Sequence, residues 1–577
     1  MKIVKYNKKG KYILGVNGWN EDSHDAAVSL VEVFDNCFNI VGCIEEEKSS
    51  GNKCAYDSFP KLAINDLLKS NSLTVQDIDY VVFGWNYVLL GEQKGDKVDL
   101  RDVLRNLFNT SDISHISTIC INHHLAHAAS SYRVSGFNEA LSVVIDGNGE
   151  TESFSVWKSQ NGKLIPLYSA PMESSFGFLF EATNIVVGFQ NYESGKTMGL
   201  AAYGKPTYAN EIMKMYDENS IEMTNEFIDE YRKVSRFIIS NEARSIQESL
   251  IKTWLSIFLN KFGIKRNKKK VDSYYNIAQK YKNLAASVQY VLEQKVTNEI
   301  RKWIIKENLV NVCLSGGVAL NCTLNGKILK MPEVERIFVQ PAAGDSGVAL
   351  GAALEQAYRM GAISKMEKEF SPYLGIEYTC DEIVRFCEKY HLKFKIKSDA
   401  SYDIAKALCQ GKVVGIFQGR NEWGPRALGN RSIISLPNKE KLDFINMEVK
   451  QRELGRPLGP SLLETDYRIL NDVNKQFGRY MNIAYQLDNS IEDRFGAVIH
   501  IDKSFRPQYV TETNNILFYH QLRELKKQIG NSIVINTSFN LATPIVYSLE
   551  QVLSYFMSKR IDLVVFNNEI IIEKENN

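Results

Sequence analysis

The stretch from His123 to Asp146, HHLAHAASSYRVSGFNEALSVVID, constrains the fold more than any other part of the chain. The residues before it, ISTICIN, read as a short buried strand, and ALSVVID within it reads as a second, so the histidines open the helix between two strands. His123 and His127 are four residues apart, which places both imidazoles on one helical face. Asp146 ends the second strand just before Gly147, Asn148 and Gly149, at the carboxyl edge where α/β sheets place ligands. A third strand end, ERIFVQ running into PAAGDSGVALGAAL, sets Asp345 before a small-residue helix. A His-x-x-x-His pair alone also arises from packing, and Asp-Gly alone from a turn. Two imidazoles and two carboxylates together suit a borderline divalent ion such as iron, manganese or zinc.

With 577 residues the chain exceeds one ordinary core, so two or more domains are expected. Its 44% hydrophobic and 24% charged residues are those of a soluble globular protein. A net charge of +1 gives no global attraction to nucleic acid or to an anionic membrane, and neither is expected as a partner. The nine cysteines include no C-x-x-C pair, which argues against a zinc knuckle and for reduced thiols. The basic N-terminus passes straight into a strand without an apolar signal core. No run approaches the roughly 20 apolar residues of a membrane span. A cytoplasmic location is expected.

In chain order, YILGVNG and AAVSLVEV read as paired strands around a polar loop that carries Asp22, His24 and Asp25. His24 is a candidate base, because imidazole titrates near neutrality. The run GCIEEEKSSGNK reads as a strand and then a solvated charged face, and residues 90–115 as a polar excursion. Gly195, Lys196 and Thr197 suggest a phosphate loop, but that motif needs a glycine where Gln190 stands. Lys196 remains a candidate point charge for a nucleotide phosphate. Residues 206–306 read as largely helical and lysine-rich. The strand VNVCLS then leads through Gly316 and Gly317 into a helix with Asn321, and such glycines let backbone N–H groups approach a phosphate or nucleotide. Gly147 joins them as a candidate nucleotide contact.

A change of pattern at 362–378 reads as a linker to a second α/β domain. Its Gly/Pro-rich loops carry Arg420, Arg426, Arg431, Arg452, Arg456 and Arg506, and a strand end carries Asn536, Thr537, Ser538 and Asn540. Arginines in rigid loops beside Ser, Thr and Asn suit a phosphate or carbonyl-phosphate ligand, with surface salt bridges as the plainer alternative.

Together HHLAHAAS, SGGVALNCTLN, PAAGDSGVALGAAL, GRNEWGPRALGNRSI, GRPLGPS and NTSFN resemble the O-carbamoyltransferases, a group that includes tobramycin, cephamycin and nodulation-type enzymes. The resemblance runs from about residue 11 to the C-terminus and is weakest over 206–306. It implies an actin-like ATPase domain over 1–362, akin to the universal tRNA threonylcarbamoyl transferase, with 206–306 as a helical insertion. It implies a smaller YrdC-like α/β domain over 370–577 that processes carbamoyl phosphate. The implied activity joins carbamate to ATP, with magnesium, as carbamoyl-adenylate, then transfers the carbamoyl group to a hydroxyl of a small natural product. Carried over residue by residue, His123, His127, Asp146 and Asp345 would hold an iron-type metal. Arg426, Arg456, Arg506, Asn536 and Ser538 would bind carbamoyl phosphate, His24 would be the base, and Asp22 an acceptor contact. The family's usual Phe-Arg-Pro-Phe-Ala-Pro becomes Gly455-Arg456-Pro457-Leu458-Gly459-Pro460 here, which removes an aromatic beside the arginine and keeps the charge. A tRNA-modifying relative and a nucleotide- and metal-dependent binding protein without turnover are the competing readings. An oligomer is compatible with all of them.

Overall fold

The computed structural model describes residues 10–19, 23–94, 97–229, 232, 246–362, 369–470, 475–487, 495–558 and 560–574. Its first half is one topology used twice. Strands β1 (Lys11–Asn17), β2 (Ala27–Phe34), β3 (Cys37–Glu45), β4 (Ile78–Phe83) and β5 (Ser117–Cys120) form a sheet in the order β3-β2-β1-β4-β5. Strands β6 (Glu139–Ile145), β7 (Glu152–Gln160), β8 (Lys163–Pro171), β9 (Asn311–Ser315) and β10 (Arg336–Val339) repeat it as β10-β9-β6-β7-β8. In each sheet the first strand pairs antiparallel with the second and parallel with the fourth, and the fourth pairs parallel with the fifth.

The helix after the fifth strand of each repeat lies between the sheets. The first, His123–Tyr132, starts where it does because the Asn122 side chain accepts from the Leu125 amide at 2.9 Å. The second, Ser346–Arg359, is buried over most of its length. Its small residues are a packing requirement. A Cβ at Gly351 would stand 1.8 Å from the Ala126 carbonyl oxygen, and one at Gly15 would stand 1.9 Å from that of Ala349. Backbone therefore meets backbone where the two helices cross and where the second rests on β1.

The second half is built on an eight-stranded mixed sheet. Its strands are β11 (Phe394–Ile396), β12 (Val414–Phe417), β13 (Arg431–Ser435), β14 (Gly459–Leu463), β17 (Gln508–Val510), β18 (Val534–Ser538), β19 (Leu563–Phe566) and β20 (Ile570–Glu573), in the order β11-β20-β19-β12-β13-β18-β14-β17. The short strands β15 (Tyr485–Gln486) and β16 (Ser504–Phe505) pair separately. The whole is a mixed α/β fold. Apolar cores run across the halves: Trp423 and Leu428 share a cluster with Ala349, Leu350 and Ala353.

Two local readings of the sequence are corrected. The charged run after β3 is not a solvated face: Glu45, Glu46 and Lys48 are buried. Lys48 reaches Glu45 at 2.7 Å and the Glu422 carbonyl at 2.6 Å, while Glu45 accepts from the Gly424 amide at 2.7 Å. Residues 90–115 contain the amphipathic helix Leu100–Phe108, whose Val103, Leu104 and Leu107 are buried under polar neighbours. The described end of the linker, 369–378, is packed: Phe370 and Leu374 are buried, and the Leu374 carbonyl accepts from Cys43 at 2.9 Å. Helices occupy parts of 206–306, at Ala209–Met213, Ile246–Phe262 and Gln279–Glu307. All nine cysteines are free thiols. Among the described residues no helix is long and apolar enough to cross a membrane.

Candidate metal centre and anion site

The pseudo-symmetric helices bring four side chains to one point. His123 and His127 project from the first turns of one helix, Asp345 precedes the other, and Asp146 follows β6. Their donor atoms all lie within 4.8 Å of one another. The two Nε2 atoms are 3.1 Å apart; the His123 Nε2 stands 3.3 Å from Asp146 and 3.6 Å from Asp345, and the His127 Nε2 stands 3.6 Å from both. All four residues are buried.

The support around this nest fixes which atoms face inward. The His123 Nδ1 lies 3.1 Å from the Gly84 carbonyl, which can only accept, so Nδ1 carries a proton and Nε2 points into the nest. Trp85 stacks on the same ring at 3.7 Å. Glu150 accepts from the His123 amide with both oxygens at 3.1 Å and from the Asn122 side chain at 2.8 Å. The Gly317 amide donates to the other oxygen of Asp146 at 2.8 Å. Burial pushes the His123 pKa down, but Asp345 and Asp146 overcome it and lift it to about 10. Burial pushes Asp146 and Asp345 up, yet the histidines hold both carboxyls well below the ordinary range. A divalent cation would take the place of the His123 proton, and two carboxylates and two imidazole Nε2 atoms around one buried point form a donor set suited to it.

Glycine loops frame the nest. Gly316 takes φ 89°, and a Cβ there would stand 2.3 Å from the Ile145 carbonyl oxygen. A Cβ at Gly177 would stand 2.7 Å from the Cα of Gly147. Gly147, Gly316 and Gly317 thus gather at Asp146. Two other candidate nucleotide contacts are otherwise engaged. Asn321 caps the helix Cys322–Lys330 and exchanges hydrogen bonds with Gln289 at 2.8 and 3.2 Å. Lys196 is held by Glu193 at 2.7 Å and Glu453 at 2.6 Å, which neutralises the charge expected to meet a phosphate.

His24 lies beside the nest. Its Nδ1 is 3.1 Å from the Asp25 carboxylate, which leaves Nε2 as the proton acceptor. Burial lowers its pKa, but the charge of Asp345 and the contact with Asp25 raise it to about 9. Asp25 holds φ 53° and Tyr192, whose ring is 4.7 Å from His24, holds φ 59°. Such left-handed non-glycine backbone concentrates at functional sites. Asp22 lies outside the described residues.

In the second half the arginines separate into two groups. Arg420 donates to the Gly375, Val41 and Leu374 carbonyls at 2.6–2.8 Å. Arg431 is fully buried, donates to the carbonyls of Gln418, Gly419, Asn430 and Ile376, and stacks on Phe417 at 3.8 Å. These two tie backbone together. Arg426, Arg452, Arg456 and Arg506 instead face one another. Burial, then Arg506 and Arg456, push Arg426 down to about 9; burial, then Arg456, do the same to Arg452. Lys450 joins them, its ammonium buried and held well below its ordinary pKa by burial and by Arg452 and Arg456. It donates to the carbonyls of Ser538 and Asn540 and to the Asn540 side chain. Ser538 donates to Asn540 at 2.7 Å. Asn536 donates to Ser461 at 2.9 Å and Gln508 at 3.2 Å, and its own carbonyl is buried without a partner. Cations in such excess make this cluster a candidate anion site. It adjoins the first half, because Lys196 reaches Glu453 at 2.6 Å and the Tyr203 hydroxyl donates to the Gly455 carbonyl at 2.8 Å.

Sequence reasoning missed Lys450, and named Asp25 and Asn540 in their loops without giving either a role. The dense string Lys450-x-Arg452-Glu453 before a Gly/Pro loop was the available signal for Lys450.

The comparisons with known proteins agree with this chemistry. Residues 86–354 match the carbamoyltransferase N-terminus and residues 405–574 the carbamoyltransferase C-terminus. The nodulation protein NolNO of Sinorhizobium fredii is 31% identical over 577 aligned residues, covering 96% of this chain and 79% of that one. A 3'-hydroxymethylcephem-O-carbamoyltransferase of Amycolatopsis lactamdurans is 31% identical across 39% of this chain and 42% of its own. Among solved structures, T. kodakarensis HypF aligns with 63% of this chain and 49% of its own at 12% identity and a TM-score of 0.31. A group-transfer enzyme is the class that these two matched halves define. The chain belongs to the carbamoyltransferase family and is a carbamoyltransferase.

Proposed function

We propose that this enzyme is an ATP-dependent O-carbamoyltransferase that takes its carbamoyl group from carbamoyl phosphate and places it on a hydroxyl of a small natural product. The observation that carries the reading is the pairing of an arginine-rich cluster with a four-donor nest, in halves joined where Lys196 meets Glu453 at 2.6 Å. The repeated five-stranded topology supports the actin-like reading of 1–362, and the mixed eight-stranded sheet supports a separate YrdC-like role for 370–577.

Arg426, Arg456 and Arg506, with Asn536 and Ser538, would hold carbamoyl phosphate while water attacks its carbonyl carbon; the new C–O bond forms, the C–O bond to phosphate breaks, and the arginines stabilise the charge on the departing phosphate as carbamate is left. Carbamate decomposes in water, so its use in an adjoining closed site is favoured. A carbamate oxygen then attacks the α-phosphorus of ATP; that O–P bond forms, the bond to the β-phosphate breaks, and pyrophosphate leaves. Gly147, Gly316 and Gly317 offer close backbone approach to the nucleotide. A divalent ion held by His123, His127, Asp146 and Asp345, iron being the expectation, supplies Lewis acidity at a phosphate oxygen when bound, and magnesium accompanies ATP. The acceptor oxygen attacks the carbamoyl carbon, His24 takes its proton at Nε2 while Asp25 orients the ring, and AMP departs. Asp22 is the proposed acceptor contact.

The test incubates the protein with ATP, carbamoyl phosphate, magnesium and ferrous ion, without acceptor, and reads products by mass spectrometry. Carbamoyl-adenylate and pyrophosphate are expected from the wild type and absent from Arg426→Ala. ATP binding with carbamoyl phosphate untouched would instead favour a binding protein without turnover.

A further inference from the structure

Lys196 and Glu453 are 257 positions apart and belong to different halves, yet their side chains meet at 2.6 Å with little exposure, 14% and 9%. Glu453 is the carboxylate of the loop that carries Lys450, Arg452 and Arg456. One of its oxygens takes the Lys196 ammonium. The other is buried without a hydrogen bond and lies 3.5 Å from the Arg456 guanidinium. Burial would raise the Glu453 pKa, but the Lys196 contact holds it below the usual range, so it stays an anion.

The same loop takes three further contacts from the first half. The Tyr203 hydroxyl donates to the Gly455 carbonyl at 2.8 Å, the Tyr274 amide donates to the Leu454 carbonyl at 2.9 Å, and the Leu454 amide donates to the Asp272 carbonyl at 3.0 Å. The Tyr274 hydroxyl donates to the Lys196 carbonyl at 3.0 Å. From its own half, Asn446 donates to the Arg456 carbonyl at 3.0 Å and accepts from the Arg452 side chain at 2.7 Å. The backbone of this loop is therefore fixed with or without Lys196. Besides its pair with Glu193 at 2.7 Å, what Lys196 contributes to this loop is the larger part of the charge balance of Glu453.

We propose that Lys196 is a positioning residue of the anion site: it occupies Glu453 so that this carboxylate restrains Arg456 without neutralising it. The inference rests on the reading of the arginine cluster as the carbamoyl phosphate site. Arg456 stands between one carboxylate oxygen and the incoming phosphate. With Lys196 in place, Glu453 makes a loose contact at 3.5 Å that a phosphate can outcompete. Without it, a buried carboxylate deprived of its cation would close on the nearest one, which is Arg456, and compete with the substrate. The two halves are thereby linked through one ion pair: anything in the first half that moves the helix Ser194–Ala201 changes the affinity of the second half for its anion.

The test measures phosphate release from carbamoyl phosphate at saturating ATP in full-length wild type, Lys196→Met, Lys196→Arg and the double variant Lys196→Met/Glu453→Gln. Lys196→Met is expected to raise KM for carbamoyl phosphate roughly tenfold, the worth of about one charge-assisted contact, with kcat changed less than about twofold. ATP affinity should hold. Lys196→Arg should restore KM, and Glu453→Gln in the Lys196→Met background should lower it again, because the competing carboxylate is gone. A merely structural tie predicts the opposite, with the double variant at least as impaired as the single. An unchanged KM in Lys196→Met, or a defect that Glu453→Gln does not relieve, overturns the proposal and leaves the carbamoyl phosphate reading standing. A wild type that releases no phosphate overturns both.

Discussion

The two candidate sites differ in how they are made. The nest of His123, His127, Asp146 and Asp345 is buried and set by backbone: two helices cross so closely that Gly351 has no room for a side chain against Ala126. The arginine cluster is unbalanced in charge and set by side chains on loops, with Glu453 as a nearby carboxylate. A cation site gains from rigid, convergent donors, whereas an anion site needs cations held apart until the anion arrives. Packing alone accomplishes the first. The second needs fixed carbonyls and a carboxylate to restrain repelling charges.

The largest expected effect comes from the nest. Asp345→Asn should cut metal retention by at least about a hundredfold, the range that even outer partners of a ligand command, and abolish transfer. Metal analysis after dialysis checks it, and carbamoyl phosphate consumption by the second half should persist more than transfer does. Arg426→Ala is the converse case: metal content should hold while carbamoyl phosphate turnover falls by about a hundredfold, as for loss of one donor to a developing anion. If both substitutions removed both properties, the two sites would be one.

Gly351→Ala should destabilise the first half by about 1–3 kcal/mol, because a Cβ there overlaps backbone that has little room to yield. Denaturant titration measures the loss, and metal affinity should weaken with it, since the same crossing places His127 against Asp345. No comparable packing change is expected to reach the arginine loops.

The smallest effect is a shift at His24. In the metal-free protein Asp345 contributes to a pKa of about 9. This raised value lies above the ordinary histidine pKa of about 6.5, so its stabilising contribution is complete below that pH and is lost as pH rises through about 9. A divalent cation beside Asp345 cancels part of the attraction and should lower the value. NMR titration with and without zinc, which is diamagnetic, reads the shift directly; an unchanged value would separate His24 from the nest electrostatically.

Much of the architecture was legible before any coordinates. Strand β6, the histidine helix and the helix after Asp345 follow from apolar runs and residue spacing, which act within a few residues. The four nest residues were readable because strand ends converge at one sheet edge. The charged run 45–48 was not, since its burial depends on Glu422 and Gly424, which lie far along the chain. Arg420 and Arg431 resembled anion ligands in composition, and only their carbonyl partners show otherwise.

Local propensity and motif spacing by themselves determined the element order, the candidate metal ligands and the family resemblance, because each depends on neighbours in sequence or on residue type. Tertiary structure alone decided which cations are free to meet an anion, that Lys196 serves Glu453, and that Asp25 orients His24. Those outcomes turn on charge pairing between segments brought together by folding, and Coulomb energy depends on distance in space and on burial, neither of which is written in the order of residues.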